Sequence, residues 1–293
     1  MKQFDFLNAP NIETALYFLH EHGERALLVA GGTNVCVDIR AGKFNDRALI
    51  SIRDVAALNG ISLEDGVISI GASTTLAAIA QSELLKEHAP CLYMAANVFA
   101  DPTTRNSATI GGNIANASPA ADTAPPLMAL GAAVHTLSSN GAREIAIDEF
   151  FVGVGRTSLN PDELITHLTF SPAKSGYVKL GLRNAMAISV VSAAAVVENE
   201  NGIIKRVRVA LGSVAPTPVR ARHVENALVG KRFNEDTIAL AAEMVQHDVR
   251  PIDDIRASAN YRRQVAPVVV KRALRLAVDG DCLWGGEDYA KSY

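Results

Sequence analysis

The chain has few cysteines: three in 293 residues, Cys36, Cys91 and Cys282, far apart and with no C-x-x-C pair. Four thiolates for an iron–sulfur cluster cannot come from that set, and no zinc-ligand spacing is present. Each cysteine reads as an ordinary, often buried, small residue. The seven histidines are scattered, H-E-x-x-H is missing, and His20 and His22 cannot face the same way on a helix. No metal site is expected. No apolar run of about 18 residues occurs, so no membrane-spanning helix is expected. The opening Met1-Lys2-Gln3-Phe4-Asp5-Phe6 lacks the apolar stretch of a signal peptide, which makes the cytoplasm the expected compartment. A formal net charge of −3 supplies no basic field for nucleic acid or anionic lipid. The basic pairs Arg262-Arg263 and Lys271-Arg272 read as the solvated face of a helix.

What is present is ordinary for a globular protein: 48% hydrophobic and 20% charged residues, in a length that suits one large or two ordinary domains. Helical spacing over 12–22, entered through Pro10-Asn11 and closed by Gly23, is followed by apolar strands over 26–30 and 48–52, a small α/β unit. Residues 67–71 alternate, and Ser73-Thr74-Thr75 offers hydroxyl caps for a helix running to about residue 88. A further helix is expected over 91–99. The stretch 100–126 is rich in small and polar residues with little periodicity, and reads as a long loop wrapped round a ligand. Strands over 132–137 and 144–147 are joined at Asn140-Gly141, and 164–170 is another. A Pro/Ser/Gly break over 171–176 precedes three strands, 177–182, 188–197 and 204–213, with Pro216-Thr217-Pro218 ending that sheet. Helices over 222–229, 235–247 and 258–278 follow, and the tail from 279 has no clear period and is expected to be mobile. No internal repeat is found.

Two turns carry chemistry. In Ala30-Gly31-Gly32-Thr33-Asn34 a strand ends in two glycines, where positive φ and close approach let consecutive N–H groups face one concavity that suits phosphate. Thr109-Ile110-Gly111-Gly112-Asn113 has the same form. Neither is G-x-G-x-x-G or a G-K-[ST] loop, so the pattern fits a diphosphate clamped by neutral donors. Ser118-Pro119-Ala120-Ala121-Asp122 reads as a helix start with Asp122 near its positive end, or as a carboxylate that accepts from cofactor hydroxyls. Phe99 and Ala100 stand before the long loop, where Phe99 could edge a flat ring or sit in the core.

On these residues the chain resembles a family. Phe4 to Pro10, Glu13-Thr14-Ala15 and Leu27 to Thr33 look like the opening of the FAD-binding medium subunits of molybdenum hydroxylases, the xanthine, carbon monoxide and nicotinate dehydrogenase type. The most specific match is Arg105 to Ile114 continuing through Ala117 to Asp122; Ile70 to Thr75, and Asp254 to Ser258 with Tyr261-Arg262, also match. The resemblance implies an α+β chain: a two-lobed FAD-binding domain of the vanillyl-alcohol-oxidase type over 1–174 (lobes about 1–57 and 58–174), then a C-terminal α+β domain over 175–293 with a three-stranded antiparallel sheet plus helices.

It also implies a cofactor set. FAD would lie on Val29, Ala30, Gly31, Gly32, Thr33, Asn34 and Val35, with Thr109, Gly112, Asn113 and Ala115 from the second turn. Ala121, Asp122, Phe99, Ala100, the pair Leu164 and Ile165, and Lys179 would complete the site. Two positions depart from the family: Asn34 stands where an aspartate is common, and Ala187 where an acidic residue is frequent. The implied role is that of an electron-transfer subunit in an oxidoreductase complex. A molybdopterin-binding large subunit would oxidise the substrate, a 2Fe-2S small subunit would deliver electrons to FAD, and NAD+ is one acceptor. A dimer of heterotrimers is the implied assembly. A self-contained FAD-dependent oxidase or dehydrogenase, and a non-enzymatic nucleotide-binding scaffold, are the competing expectations.

Overall fold

The computed structural model describes residues 4–44 and 46–279. The first unit runs β1 (Asp5–Asn8), α1 (Ile12–His22), β2 (Ala26–Val29), α2 (Val35–Arg40) and β3 (Ala48–Ser51). Asn11 caps α1 by accepting from the Thr14 N–H at 2.8 Å, and Gly23 closes it at φ 50, as the sequence leads one to expect. β3 lies between β1 and β2 and is parallel to both. That makes β2 an edge strand, half-buried rather than buried on both faces.

A second sheet follows, with β4 (Ile61–Glu64) and β5 (Val67–Gly71) separated from its other strands by six short helices. These are α3 (Leu76–Ala80), α4 (Glu83–His88), α5 (Pro90–Asn97), α6 (Pro102–Ser107), α7 (Ile110–Ala115) and α8 (Ala124–Leu130). The single helix expected up to residue 88 is two helices, because Ser82 accepts from the Leu85 N–H and caps a new one. The expected loop over 100–126 holds α6 and α7 and the start of α8. Their apolar positions escape a periodicity test because each spans only six or seven residues. No helix starts at Ser118: residues 118–123 are irregular and α8 begins at Ala124. Pro125 and Pro126 suit a first turn, but their rings exclude helical carbonyls four residues earlier.

β6 (Ala133–Ser138) and β7 (Gly141–Ala146) form a hairpin turning at Ser139-Asn140, then come α9 (Ile147–Phe150), the ribbon β8 (Phe151–Gly153) and β9 (Arg156–Thr157), and β10 (Leu164–Phe170). The antiparallel sheet order is β4-β5-β10-β6-β7.

The third sheet has β11 (Ser175–Gly181), β12 (Ser189–Glu200), β13 (Ile203–Gly212) and β14 (Val219–Arg220), in that order and antiparallel. It therefore has four strands, not three. The Pro216-Thr217-Pro218 segment bends the chain without ending the sheet, so Val219 pairs with Leu211 and Arg220 with Ala210. β12 is buried on both faces: Ala194 and Val196 join the core shared with the six helices. Ala193, Ala195 and Val197 join a second core under α10 (Arg222–Leu228), α11 (Glu235–Glu243) and α12 (Ala259–Asp279). That double burial explains its uninterrupted apolar run. Inside α12, Pro267 cannot donate to the Arg263 carbonyl four residues back, and Gln246 Nε2 supplies that bond at 2.8 Å.

Cys91 is buried, and burial pushes its thiol up to about 12; Cys36 is exposed, against expectation. Cys282 and the tail beyond Asp279 lie outside the described residues.

α12 approaches β11 where Gly176 has no side chain: a Cβ there would meet Leu276 and lie 2.7 Å from the Ala273 carbonyl oxygen. Gly176→Ala should lower unfolding free energy by about 1–3 kcal/mol in urea denaturation. Gly153→Ala, whose nearest neighbour would lie 3.9 Å away, should stay within about 0.5 kcal/mol of wild type.

Candidate functional site

β2 stops at Val29 and α2 starts at Val35, with the turn Ala30 to Asn34 between them and Gly32 at φ 68. The N–H groups of Gly31, Gly32, Thr33 and Asn34 donate to no acceptor among the described residues. Cys36 N–H donates to the Gly32 carbonyl and Asp38 N–H to that of Asn34, each at 2.9 Å. Four free donors on one edge of a strand–helix junction form an anion-binding nest.

The second turn differs. Its N–H groups are used inside the protein: Ile110 donates to the Thr74 carbonyl, Gly111 to that of Ala72, and Asn113 to that of Thr109, all at 2.9–3.0 Å. Gly112 donates to Thr109 Oγ1 at 3.2 Å. The expectation of two equivalent N–H nests is corrected here. The glycines of the second turn serve close packing, since a Cβ on Gly111 would lie 2.7 Å from the Ala72 oxygen and one on Gly112 2.9 Å from Thr109 Oγ1. What this turn offers outward is side chains. Thr123 Oγ1 donates to Asn113 Oδ1 at 2.6 Å, which leaves the Asn113 amide N–H groups without a protein acceptor. The first turn touches the chain just before the second: a Cβ on Gly31 would run into the carbonyl of Ser107, the last residue of α6, and lie 3.1 Å from the Ala108 Cα.

Two adjoining cavities open at this contact, of about 610 and 600 Å³. Ala30 to Val35, Thr109, Gly112, Asn113 and Ala115 wall the first. Ala100, Ala121 and Asp122 wall the second, and Asn34, Phe99 and Asn113 border both. Ala100 takes φ 42, a strained value for a residue with a Cβ. Val29, Leu164, Ile165 and Lys179 wall neither cavity; Leu164 and Ile165 are 1% and 6% exposed, in two different cores.

Lys179 acts through Asp122. Its Nζ lies 2.6 Å from Asp122 Oδ2 and donates to the Val98 carbonyl at 3.2 Å, while Tyr177 Oη donates to Asp122 Oδ1 at 3.1 Å. Burial pushes the Asp122 carboxyl up, against the pull of Lys179 and Tyr177. Asp122 is thus tied to β11 and caps no helix. Both its oxygens are engaged, so it is oriented at the cavity wall.

The far wall of the second cavity comes from the C-terminal sheet and helices, and most of it escaped sequence reasoning. Arg262, expected on a solvated helix face, is 3% exposed. Its Nη1 donates to the carbonyls of Val190 and Ser213 at 2.9 and 2.7 Å, and its Nη2 to Asp254 Oδ1 at 2.7 Å. Burial pushes Asp254 up, but the N–H groups of Arg256 and Ala257 and the Arg262 guanidinium outweigh it and hold the carboxyl at about 2. The sequence signal was the pair Asp253-Asp254 among Arg250, Arg256 and Arg262.

Comparisons with known proteins agree with this layout. The family described as the FAD binding domain in molybdopterin dehydrogenase matches residues 2–172, and the CO dehydrogenase flavoprotein C-terminal domain matches 176–277. A putative xanthine dehydrogenase FAD-binding subunit of Escherichia coli (strain K12) is 34% identical over 284 residues, 94% of this chain and 97% of the relative. The carbon monoxide dehydrogenase medium chain of Hydrogenophaga pseudoflava is 30% identical over 281 residues, 94% and 97% of the two chains. A solved carbon monoxide dehydrogenase structure from Hydrogenophaga pseudoflava superposes with a TM-score of 0.90 at 31% identity, over 96% of this chain and 98% of that one.

Asp254 has a depressed carboxyl in the folded state, so its contribution to stability is complete above the unfolded value of about 3.9 and is lost as pH falls toward about 2. The difference in melting temperature between wild type and Asp254→Asn should therefore be constant from neutral pH to about 4 and shrink below it. A gap unchanged down to pH about 2.5 would contradict this assignment.

Proposed function

The chain belongs to the FAD-binding subunits of the molybdenum hydroxylases, an oxidoreductase family, and from that premise we propose that it is the complex's electron relay. The observation that carries the site reading is the row of four free N–H groups, Gly31 to Asn34, in the wall of the first of two adjoining cavities. FAD fits it: the nest suits a pyrophosphate, and cavities of this size are usual for cofactors. In this reading Ala30 to Val35 hold the pyrophosphate through N–H groups, while Thr109, Asn113 and the Cα of Gly112 line its other side with Ala115. Phe99, Ala100, Ala121 and Asp122 line the ring end. Val29, Leu164, Ile165 and Lys179 support that wall from behind, Lys179 by holding Asp122. When bound, the flavin supplies conversion between one-electron and two-electron transfer.

The partners belong to this proposal. The relatives' names, medium chain and FAD-binding subunit, support an assembly of several subunits; the proposed partners are a molybdopterin-binding large subunit and a 2Fe-2S small subunit, and the proposed assembly is a dimer of heterotrimers. Among the described residues no three His, Cys, Asp or Glu side chains group as a metal-ligand set. NAD+ is the proposed acceptor. No helix among the described residues is long and apolar enough to cross a membrane. The proposed division is 1–174, with lobes about 1–57 and 58–174, and 175–293; the separation of the three larger sheets supports it.

Gly32→Val should abolish FAD retention, because valine is strained at φ 68 and its Cβ changes the nest. The purified variant should be folded by circular dichroism yet colourless. A folded variant with full flavin absorbance would overturn the placement.

A further inference from the structure

A third cavity, of about 380 Å³, lies between α9, β13, β14 and α10 and shares no wall residue with the two at the cofactor turns. Its charged wall residues are four arginines, Arg206, Arg208, Arg220 and Arg222, against two carboxylates, Asp148 and Glu225. The carboxylates are already engaged. Glu225 accepts from the Val209 N–H at 2.8 Å and from Arg220 through both oxygens, each at 2.7 Å. Asp148 Oδ2 accepts from Arg220 Nη1 and Arg222 Nη2, each at 3.1 Å. Arg206 leans outward to Glu198, at 3.4 Å.

Arg208 is left over. It donates no hydrogen bond among the described residues, and its Nη2 comes only within 3.7 Å of the Asp148 oxygen that two other arginines use. Yet its guanidinium is firmly seated: a Cβ on Gly131, the left-handed residue that closes α8, would collide with it. The Nε is enclosed without a partner, whereas the Nη groups reach solvent at the cavity, and the side chain is 21% exposed. Burial and the neighbouring Arg220 hold this guanidinium below the usual arginine value, so it is short of negative charge. A half-buried cation with unmade hydrogen bonds is costly to the fold. Planar, preplaced donors of this kind are what grips an oxyanion in two-pronged fashion.

We propose that the cavity between α9, β13, β14 and α10 binds a phosphate group, held by the Nη groups of Arg208 with Arg206 and Arg222 at the rim. A phosphate dianion matches the excess of two arginines over carboxylates in the wall, and its oxygens match the guanidinium fork. Two sources share the chemistry: inorganic phosphate, or the phosphate of a small monoester. The site lies apart from the cofactor turns and stands independently of the FAD reading.

The test uses the full chain loaded with FAD, so that the Gly31 to Asn34 nest is filled. It is titrated calorimetrically with inorganic phosphate, at a pH where phosphate is a dianion and at ionic strength held constant with sodium chloride. Saturable binding is expected. Arg208→Gln should weaken it roughly ten-fold or more, since it removes charge-assisted hydrogen bonds. Arg222→Gln, at a position 61% exposed, should weaken it about three-fold and carries the test if Arg208→Gln does not fold. Arg25→Gln, on the first unit, should bind as wild type does. Phosphate should raise the melting temperature of wild type and Arg25→Gln but not of Arg208→Gln. Equal phosphate affinity in wild type and both cavity variants, or no response beyond that of chloride, would overturn the site. Glycerol phosphate separates the sources. Binding at least as tight as that of inorganic phosphate upholds the site with a monoester, and binding of inorganic phosphate alone upholds it with the free ion. A colourless preparation counts against the cofactor reading, and the loss of binding in the arginine variants still decides this site.

Discussion

The contact between the first turn and the end of α6, just before the second turn, sets the rest of the site. Gly31 packs against the Ser107 carbonyl so closely that no side chain fits between them. The second turn is in turn pinned to the end of β5's exit, where Gly111 and Ile110 donate to Ala72 and Thr74 and Leu76 donates to Ala108. One sheet's strand exit is thereby pressed onto another sheet's helices. The first turn keeps its N–H groups free, while the second spends its own on the scaffold. A rigid side and a donating side are the division of labour that holding an anion requires.

From that contact the cavity extends to the third sheet, whose central strand β12 is buried on both faces and joins two cores. The link is also polar: Asp122, beside the second turn, is fastened by Lys179 and Tyr177 of β11. Asp148 of α9, part-exposed, meets Arg208, Arg220 and Arg222, at 3.7, 3.1 and 3.1 Å. Breaking a buried pair leaves an uncompensated charge, so the Asp122–Lys179 contact resists being pulled apart. The wall that carries Arg262 is held in place by the same packing.

Much of this was legible beforehand where the signal is local. Asn11 and Gly23 bracket α1, the first by accepting from the Thr14 N–H and the second at φ 50. Contacts distant in sequence were not legible. A Gly-Gly pair looks the same whether its glycines free N–H groups or admit a neighbouring backbone, so the two turns read alike and act differently. Arg262 sits beside Arg263 in a polar-looking run, and only the carbonyls of Val190 and Ser213 make it a buried residue. Ser118 carries a helix-start pattern, but Pro125-Pro126 place the start later.

The most direct measurement is amide hydrogen exchange at single residues, with and without FAD. Exchange at Gly31, Gly32, Thr33 and Asn34 should slow strongly on FAD addition, while that of Ile110, Gly111, Gly112 and Asn113, already hydrogen-bonded in the protein, should change little. Protection gained at the second turn with none at the first would contradict the account.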